Sequence, residues 1–308
     1  MDKIKGYIND EYLHLMEKKI QNAIFRSYEL KNNVLDAIPE PLVTVRTSTY
    51  QHSKYIEQCI QGVLNQKTSF PVEYIIGEDF STDGTREIVC SYAKKYPDRI
   101  RVVISDRNEG VRGNGWRCKV RARGKYIALC EGDDYWSDPL KLQKQVDYLE
   151  QNPKAQFSFH FSSILKDDQI IGKRPNSGGG VIKLENLLFR KTYPTMSLVF
   201  RRTAALYMDQ IRLYKQFCTG DFLLVLLLAS RGPGYLFPEV MGVYRVHPGG
   251  VYSPLGEIKK LKMGIQNRRA ALEHIPMNFK QKMICRLMIM LRQVKILWLK
   301  LKGLFKKG

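Results

Sequence analysis

The strongest chemical signal in the chain is the stretch Cys130 to Pro139, C-E-G-D-D-Y-W-S-D-P. It places Glu131, Asp133 and Asp134 at the end of an apolar run, Tyr126 to Cys130, that reads as a short buried strand. Carboxylates this close repel one another and raise each other's pKa unless a cation or donor groups neutralise them. Hard divalent ions bind carboxylate oxygens in such clusters. The plainer alternative is a solvated acidic turn capping a helix that starts at Asp138-Pro139.

Five other groups of residues have types suited to chemistry. Thr47-Ser48-Thr49-Tyr50 and Glu78-Asp79 each follow an apparent strand end. A nucleotide suits a crevice between them, with Tyr50 against a base and Asp79 accepting from a base N–H. Glu131, Asp133 and Asp134 would then handle ribose and a metal-bound diphosphate. Asp221, in Thr219-Gly220-Asp221-Phe222, opens an almost wholly apolar helix, where a carboxylate is either an N-cap or a base whose pKa burial raises. Arg245 and His247 stand two apart near a strand end, on one face if the strand continues, and together suit a metal and a diphosphate. Arg112 lies in Asn108 to Gly115, read as a loop, from which it could reach a base or phosphate. The G-x-G look of that segment is weak evidence for a dinucleotide fingerprint, because it follows the third strand instead of opening the first βαβ unit.

The elements that must position these residues alternate. Strands are expected at Leu42 to Val45, Val72 to Gly77, Arg101 to Ile104 and Tyr126 to Cys130, with helices at Tyr55 to Leu64 and Arg86 to Tyr96. Ser81-Thr82-Asp83-Gly84-Thr85 reads as the N-cap signal of the second helix. This alternation predicts an α/β fold with a mostly parallel central sheet flanked by helices and ligands beyond the carboxyl ends of its strands. Further on, strands are expected at Phe157 to Phe161, Thr195 to Phe200 and Leu236 to Val246. Lys166 to Gly180 reads as a polar loop, and helices run to about Tyr214 and from Leu223 to Ala229. Residues 1–40 form a helical extension with a stripe of Ile8, Tyr12, Leu15, Met16, Ile20 and Ile24, read as a packing or oligomerisation arm. Residues 41–255 form the main domain, 41–155 on the nucleotide side and 156–255 on the acceptor side.

With 308 residues and 44% hydrophobic content the chain is long enough for a sizeable core, and its net charge of +20 points to acidic partners. The six cysteines form no C-x-x-C pair, so neither a zinc site nor a disulfide framework is expected, and a reducing cytosol fits. The N-terminus shows no apolar h-region, and no stretch approaches the roughly 18 apolar residues of a spanning helix. From Ile258 onward there are 14 Lys/Arg against one acid, Glu273. Residues 256–308 therefore read as basic amphipathic helices on an anionic membrane surface, with Trp298 and Phe305 as anchors. A nucleic-acid partner is not expected, because the basic residues concentrate in an apolar tail.

The ordered segments V-R-T-S-T-Y-Q, E-D-F-S-T-D-G-T and G-K-Y-I-A-L-C-E-G-D-D-Y-W-S-D-P-L-K-L, followed by G-D-F and Y-R-V-H-P-G-G, resemble the bacterial family 2 glycosyltransferases. The resemblance implies the GT-A fold and inverting transfer of a sugar from a nucleotide-sugar; with the basic tail, the expected acceptor is a surface polysaccharide or lipid-linked glycan at the cytoplasmic membrane face. It implies that Ser48 and Tyr50 line the base pocket and that Asp79 pairs with the base, uracil first. It assigns Asp133 to ribose, Asp134 to Mg²⁺ or Mn²⁺, His247 to the neighbourhood of metal and diphosphate, and Asp221 to the catalytic base. Arg245 would stabilise charge on the leaving group. Gln51 stands where the family usually has asparagine, Ser48 where it has proline, and Glu131 where aspartate is common. A nucleotidyltransferase of similar fold and a basic nucleic-acid-binding module are the alternatives. Oligomeric state is left open.

Overall fold

The computed structural model describes residues 16–189, 193–250, 252 and 254–304. Ile8, Tyr12 and Leu15 of the N-terminal stripe, and Phe305 of the tail, lie outside them. The described part begins with α1 (Lys18–Phe25), which buries Ile20, Ala23 and Ile24. Next come β1 (Tyr28–Glu29) and the one-turn helix α2 (Val34–Ala37). The extension thus contributes an edge strand as well as a helix.

The alternating part follows as β2 (Val43–Thr49), α3 (Ile56–Leu64), β3 (Val72–Glu78), α4 (Thr85–Lys95), β4 (Ile100–Ile104), α5 (Gly110–Lys119) and β5 (Tyr126–Leu129). These four strands are parallel and buried almost throughout, as strands covered on both faces are. α3 turns Ile56, Cys59, Ile60 and Val63 inward at i, i+3, i+4 and i+7. α5 corrects the expected loop at Asn108 to Gly115. Its glycines weaken the helical signal, but one of them is required: a Cβ on Gly113 would lie 2.8 Å from Ala23 of α1.

The second half comprises β6 (Tyr135–Trp136), α6 (Lys141–Gln151), β7 (Phe157–Lys166), β8 (Gln169–Arg174), β9 (Gly180–Ile182) and α7 (Leu184–Phe189). After a 3₁₀ turn at Thr195–Ser197 come β10 (Val199–Arg201), α8 (Ala204–Leu213), α9 (Gly220–Arg231), β11 (Gly234–Val246), α10 (Glu257–His274) and α11 (Phe279–Leu304). The polar loop expected at Lys166 to Gly180 is largely a hairpin of β7 and β8. Asp167 and Asp168 turn it at φ 49° and 59°, the left-handed pair that tight hairpins use. All of β8 is exposed, so it carries no inside-outside alternation to read. The sheet order is β1-β4-β3-β2-β5-β10-β7-β11-β6, with β8 on β7 and β9 on β11. It is parallel at its centre and mixed beyond, since β1, β10 and β6 pair antiparallel.

One buried acid ties the sheet to its flank. Glu73 is wholly buried and accepts from Thr44 Oγ1 at 2.6 Å, Arg101 Nη1 at 3.0 Å and Arg123 Nε at 2.8 Å. Arg101 also grips Glu29 of β1. Glu73→Ala leaves these guanidinium groups short of their counter-charge, and denaturant titration should show a loss of about 3 kcal/mol.

Candidate active site

From β2 the chain passes to β3 and β4 on one side, then crosses back to β5 on the other. Ligands of open α/β sheets sit outside the carboxyl ends of the strands at such a switch. Here those ends deliver Thr49 to His52 from β2 and Cys130 to Asp134 from β5, and the two segments touch. Gly132 N–H donates to the Ser48 carbonyl at 3.0 Å. A Cβ on Gly132 would lie 2.7 Å from Thr49 Oγ1 and 2.9 Å from His52 Nδ1, so only glycine lets the acidic turn close on β2.

The loop after β2 is pinned by the segment that leads into α4. Asp83 Oδ1 accepts from Thr85 N–H at 3.1 Å, an Asx turn ahead of the helix; the N-cap position itself is Gly84, which has no side-chain cap, so the expected N-cap signal serves as a turn. The same segment also holds the neighbouring backbone. Gln51 N–H donates to Ser81 Oγ at 3.0 Å, His52 N–H to Thr85 Oγ1 at 2.8 Å, and Ser53 N–H to Asp83 Oδ2 at 3.0 Å. Gln51 sits at φ 56°, a conformation asparagine adopts more readily. His52 Nδ1 lies 3.2 Å from Thr49 Oγ1, and its Nε2 is 4.0 Å from Asp133 Oδ2.

β11 supplies the third wall. His247, just past its end, places Nε2 at 3.1 Å from Asp133 Oδ2 and packs its ring on Tyr55 at 4.8 Å. One ligand atom from each of His52, Asp133 and His247 lies within 4.8 Å of the others, so the three can hold one metal ion. Two imidazoles and a carboxylate suit a divalent cation that keeps further positions open. Burial pushes the His52 pKa down, which favours the neutral, ligating imidazole. For Asp133 burial pushes upward, but the hydrogen bond with His247 and the charge of His52 outweigh it and hold the carboxyl below its ordinary value.

The two adjacent aspartates therefore face different ways. Asp134, expected on the metal, turns inward at 3% exposure and accepts the Arg245 N–H at 2.8 Å. Burial, with the charge of Asp133 added, holds its carboxyl well above the usual range. Asp133, expected at ribose, is the acid that stands with the histidines. Arg245 donates to the Asp133 carbonyl at 2.8 Å and to Gln58, between the rings of Tyr55 and Tyr135, so it braces the acidic turn.

Tyr50 stands 45% exposed beside Ser48 at the end of β2. Asp79 is 2% exposed, and its oxygens accept the N–H groups of Glu109 and Gly110, both at 2.9 Å, at the start of α5. Burial raises its pKa against these donors and against Arg117. Arg112, on α5 and not in a loop, donates to the Phe217 carbonyl at 3.4 Å and lies 4.3 Å over the Tyr214 ring. Burial pushes the Glu131 carboxyl to about 7; Arg46 opposes this, while the charges of Asp133 and Asp221 add to it.

Asp221 lies in the first turn of α9, at the edge of a cleft lined by Phe159, Tyr193, Leu198 and Val225. The segment before it is held from the tail: Asn267 of α10, 3% exposed, accepts Cys218 N–H at 2.7 Å and donates to Thr219 Oγ1 at 3.0 Å. Sequence reasoning missed His52, Arg46 and Asn267. For His52 a signal existed, since it follows a strand end on the ligand side by three residues.

The family model for glycosyl transferase family 2 matches residues 44–220. The chain belongs to that family. An uncharacterized Mycobacterium tuberculosis protein is 37% identical over 212 residues, 68% of this chain and 60% of the relative, so the chain spans less than two thirds of that relative's length. The putative teichuronic acid biosynthesis glycosyltransferase TuaG of Bacillus subtilis is 39% identical over 130 residues, 42% of this chain and 50% of TuaG. The S. aureus TarS structure with UDP-GlcNAc superposes with a TM-score of 0.62 at 15% identity, covering 82% of this chain and 72% of TarS. This family 2 chain accordingly has a GT-A-like α/β fold, and its acidic motif and both histidines of the triad meet at the switch point of the sheet.

Proposed function

We propose that this protein transfers a sugar, with inversion, from a nucleoside diphosphate sugar, uridine first, to a hydroxyl of a polysaccharide or lipid-linked glycan. The observation that carries the reading is the convergence of Asp133, His52 and His247 outside the carboxyl ends of β2 and β5. Family membership supports the reaction class. The name of TuaG supports a cell-surface glycan, and the ligand of the TarS structure supports a uridine nucleotide.

Asp133, His52 and His247 would hold Mg²⁺ or Mn²⁺ against the donor diphosphate. When bound, such a cation neutralises charge that builds on the leaving group. With Asp133 on the cation, ribose falls to Glu131, the first acid of the motif, beside Ser48 and Tyr50. Asp221 takes the proton from the acceptor hydroxyl as that oxygen attacks the anomeric carbon. A single displacement inverts the centre. Arg245 acts on the site through the Asp133 carbonyl.

A thermal-shift screen of UDP-, GDP- and dTDP-sugars with and without Mn²⁺ tests the reading. A UDP-sugar with Mn²⁺, at roughly a hundredfold excess over Kd, should raise Tm by about 5 °C. Absence of a shift with every donor would sink the proposal.

A further inference from the structure

We infer that α11 is a docking face for an anionic lipid surface, lying in the plane of the interface. The inference does not rest on the catalytic reading, since α11 lies outside the family match at 44–220. Met283, Leu287, Met290, Val294, Leu297 and Leu301 alternate by four and three residues, so they form one stripe along the helix. Each is 44–61% exposed, and Trp298 beside them is 54% exposed. The opposite side faces the protein: Cys285 is wholly buried, and Ile296 is 9% exposed. A continuous apolar stripe of this length on a water-facing helix marks an interaction surface.

Charge selects the occupant. At 100° per residue, Arg286 and Lys300 fall along one edge of the stripe, and Lys295 and Lys302 along the other. α11 contains no Asp or Glu. A second copy of the same helix would set like charges against each other along the seam, which opposes self-association. Phosphate groups of nucleic acid would meet the apolar stripe before the lysines. Anionic headgroups satisfy both features, with the stripe in the acyl boundary and basic side chains reaching up to phosphate. Among the described residues no helix is long and apolar enough to cross a membrane, consistent with an in-plane position. α10 packs against α11 and also carries Asn267, so the docking helix and the Asp221 segment are tied through one element.

Of the three tryptophans, Trp116 and Trp136 are each 3% exposed, so a vesicle-induced change in emission reports Trp298. The full chain is mixed with phosphatidylcholine vesicles with and without phosphatidylglycerol, and emission and flotation are read together. The expected result is a blue shift and flotation with the anionic vesicles. Both should be lost in Leu297→Glu/Leu301→Glu, which alters only exposed positions. Arg286→Ala/Lys300→Ala should lower the partition on the order of tenfold. Three results would overturn the inference: no flotation with anionic vesicles; flotation that persists in the Leu297→Glu/Leu301→Glu protein; or a vesicle-free dimer that the same pair of substitutions dissolves.

Discussion

Asp133→Ala is expected to lower sugar transfer by at least about 10³-fold, equivalent to about 4 kcal/mol of transition-state stabilisation. Its Oδ2 is the atom on which both histidines converge, at 3.1 Å from His247 and 4.0 Å from His52. Without it two neutral imidazoles remain, and the cation loses the one anionic side chain that holds it beside the diphosphate. Metal-dependent nucleotide binding should therefore fall with turnover. Asp134→Asn provides the contrast. That side chain is buried and accepts a backbone N–H from Arg245, a bond an asparagine oxygen can keep, so nucleotide binding should stay within a few-fold of the parent. Equal losses in both variants would remove the distinction between the two acids.

Asp221→Asn should leave nucleotide binding intact while transfer falls by about 10²- to 10⁴-fold, the range for loss of a general base. Asp221 stands in the first turn of α9, on a different element from the triad, and its charge is felt at Glu131. Binding is read by titration calorimetry and transfer by nucleoside diphosphate release. A loss of binding equal to the loss of rate would assign Asp221 to the donor, not to the acceptor.

Much of this arrangement is legible in the residues. The strands β2 to β5 are short β-rich, largely apolar segments, their parallel order follows from the alternation with α3 and α4, and the acids after their ends mark the crevice. What could not be read depends on contacts distant in sequence. α5 is a helix despite Gly110, Gly113 and Gly115, and close packing of Gly113 on Ala23 is a contact that local propensity does not contain. β8 lacks alternation because no face of it is buried. The division of labour between Asp133 and Asp134 is set by β11, more than a hundred residues away, whose Arg245 N–H claims Asp134 while His247 turns to Asp133. Asp79 is similar: its closing of the α5 start depends on a helix that composition conceals.

The most direct measurement is calorimetric titration of UDP into the parent protein and into Asp133→Ala, each with and without Mn²⁺. Binding should be tightened by Mn²⁺ in the parent and indifferent to it in the variant. The same response to Mn²⁺ in both proteins would contradict a cation held between Asp133 and the diphosphate.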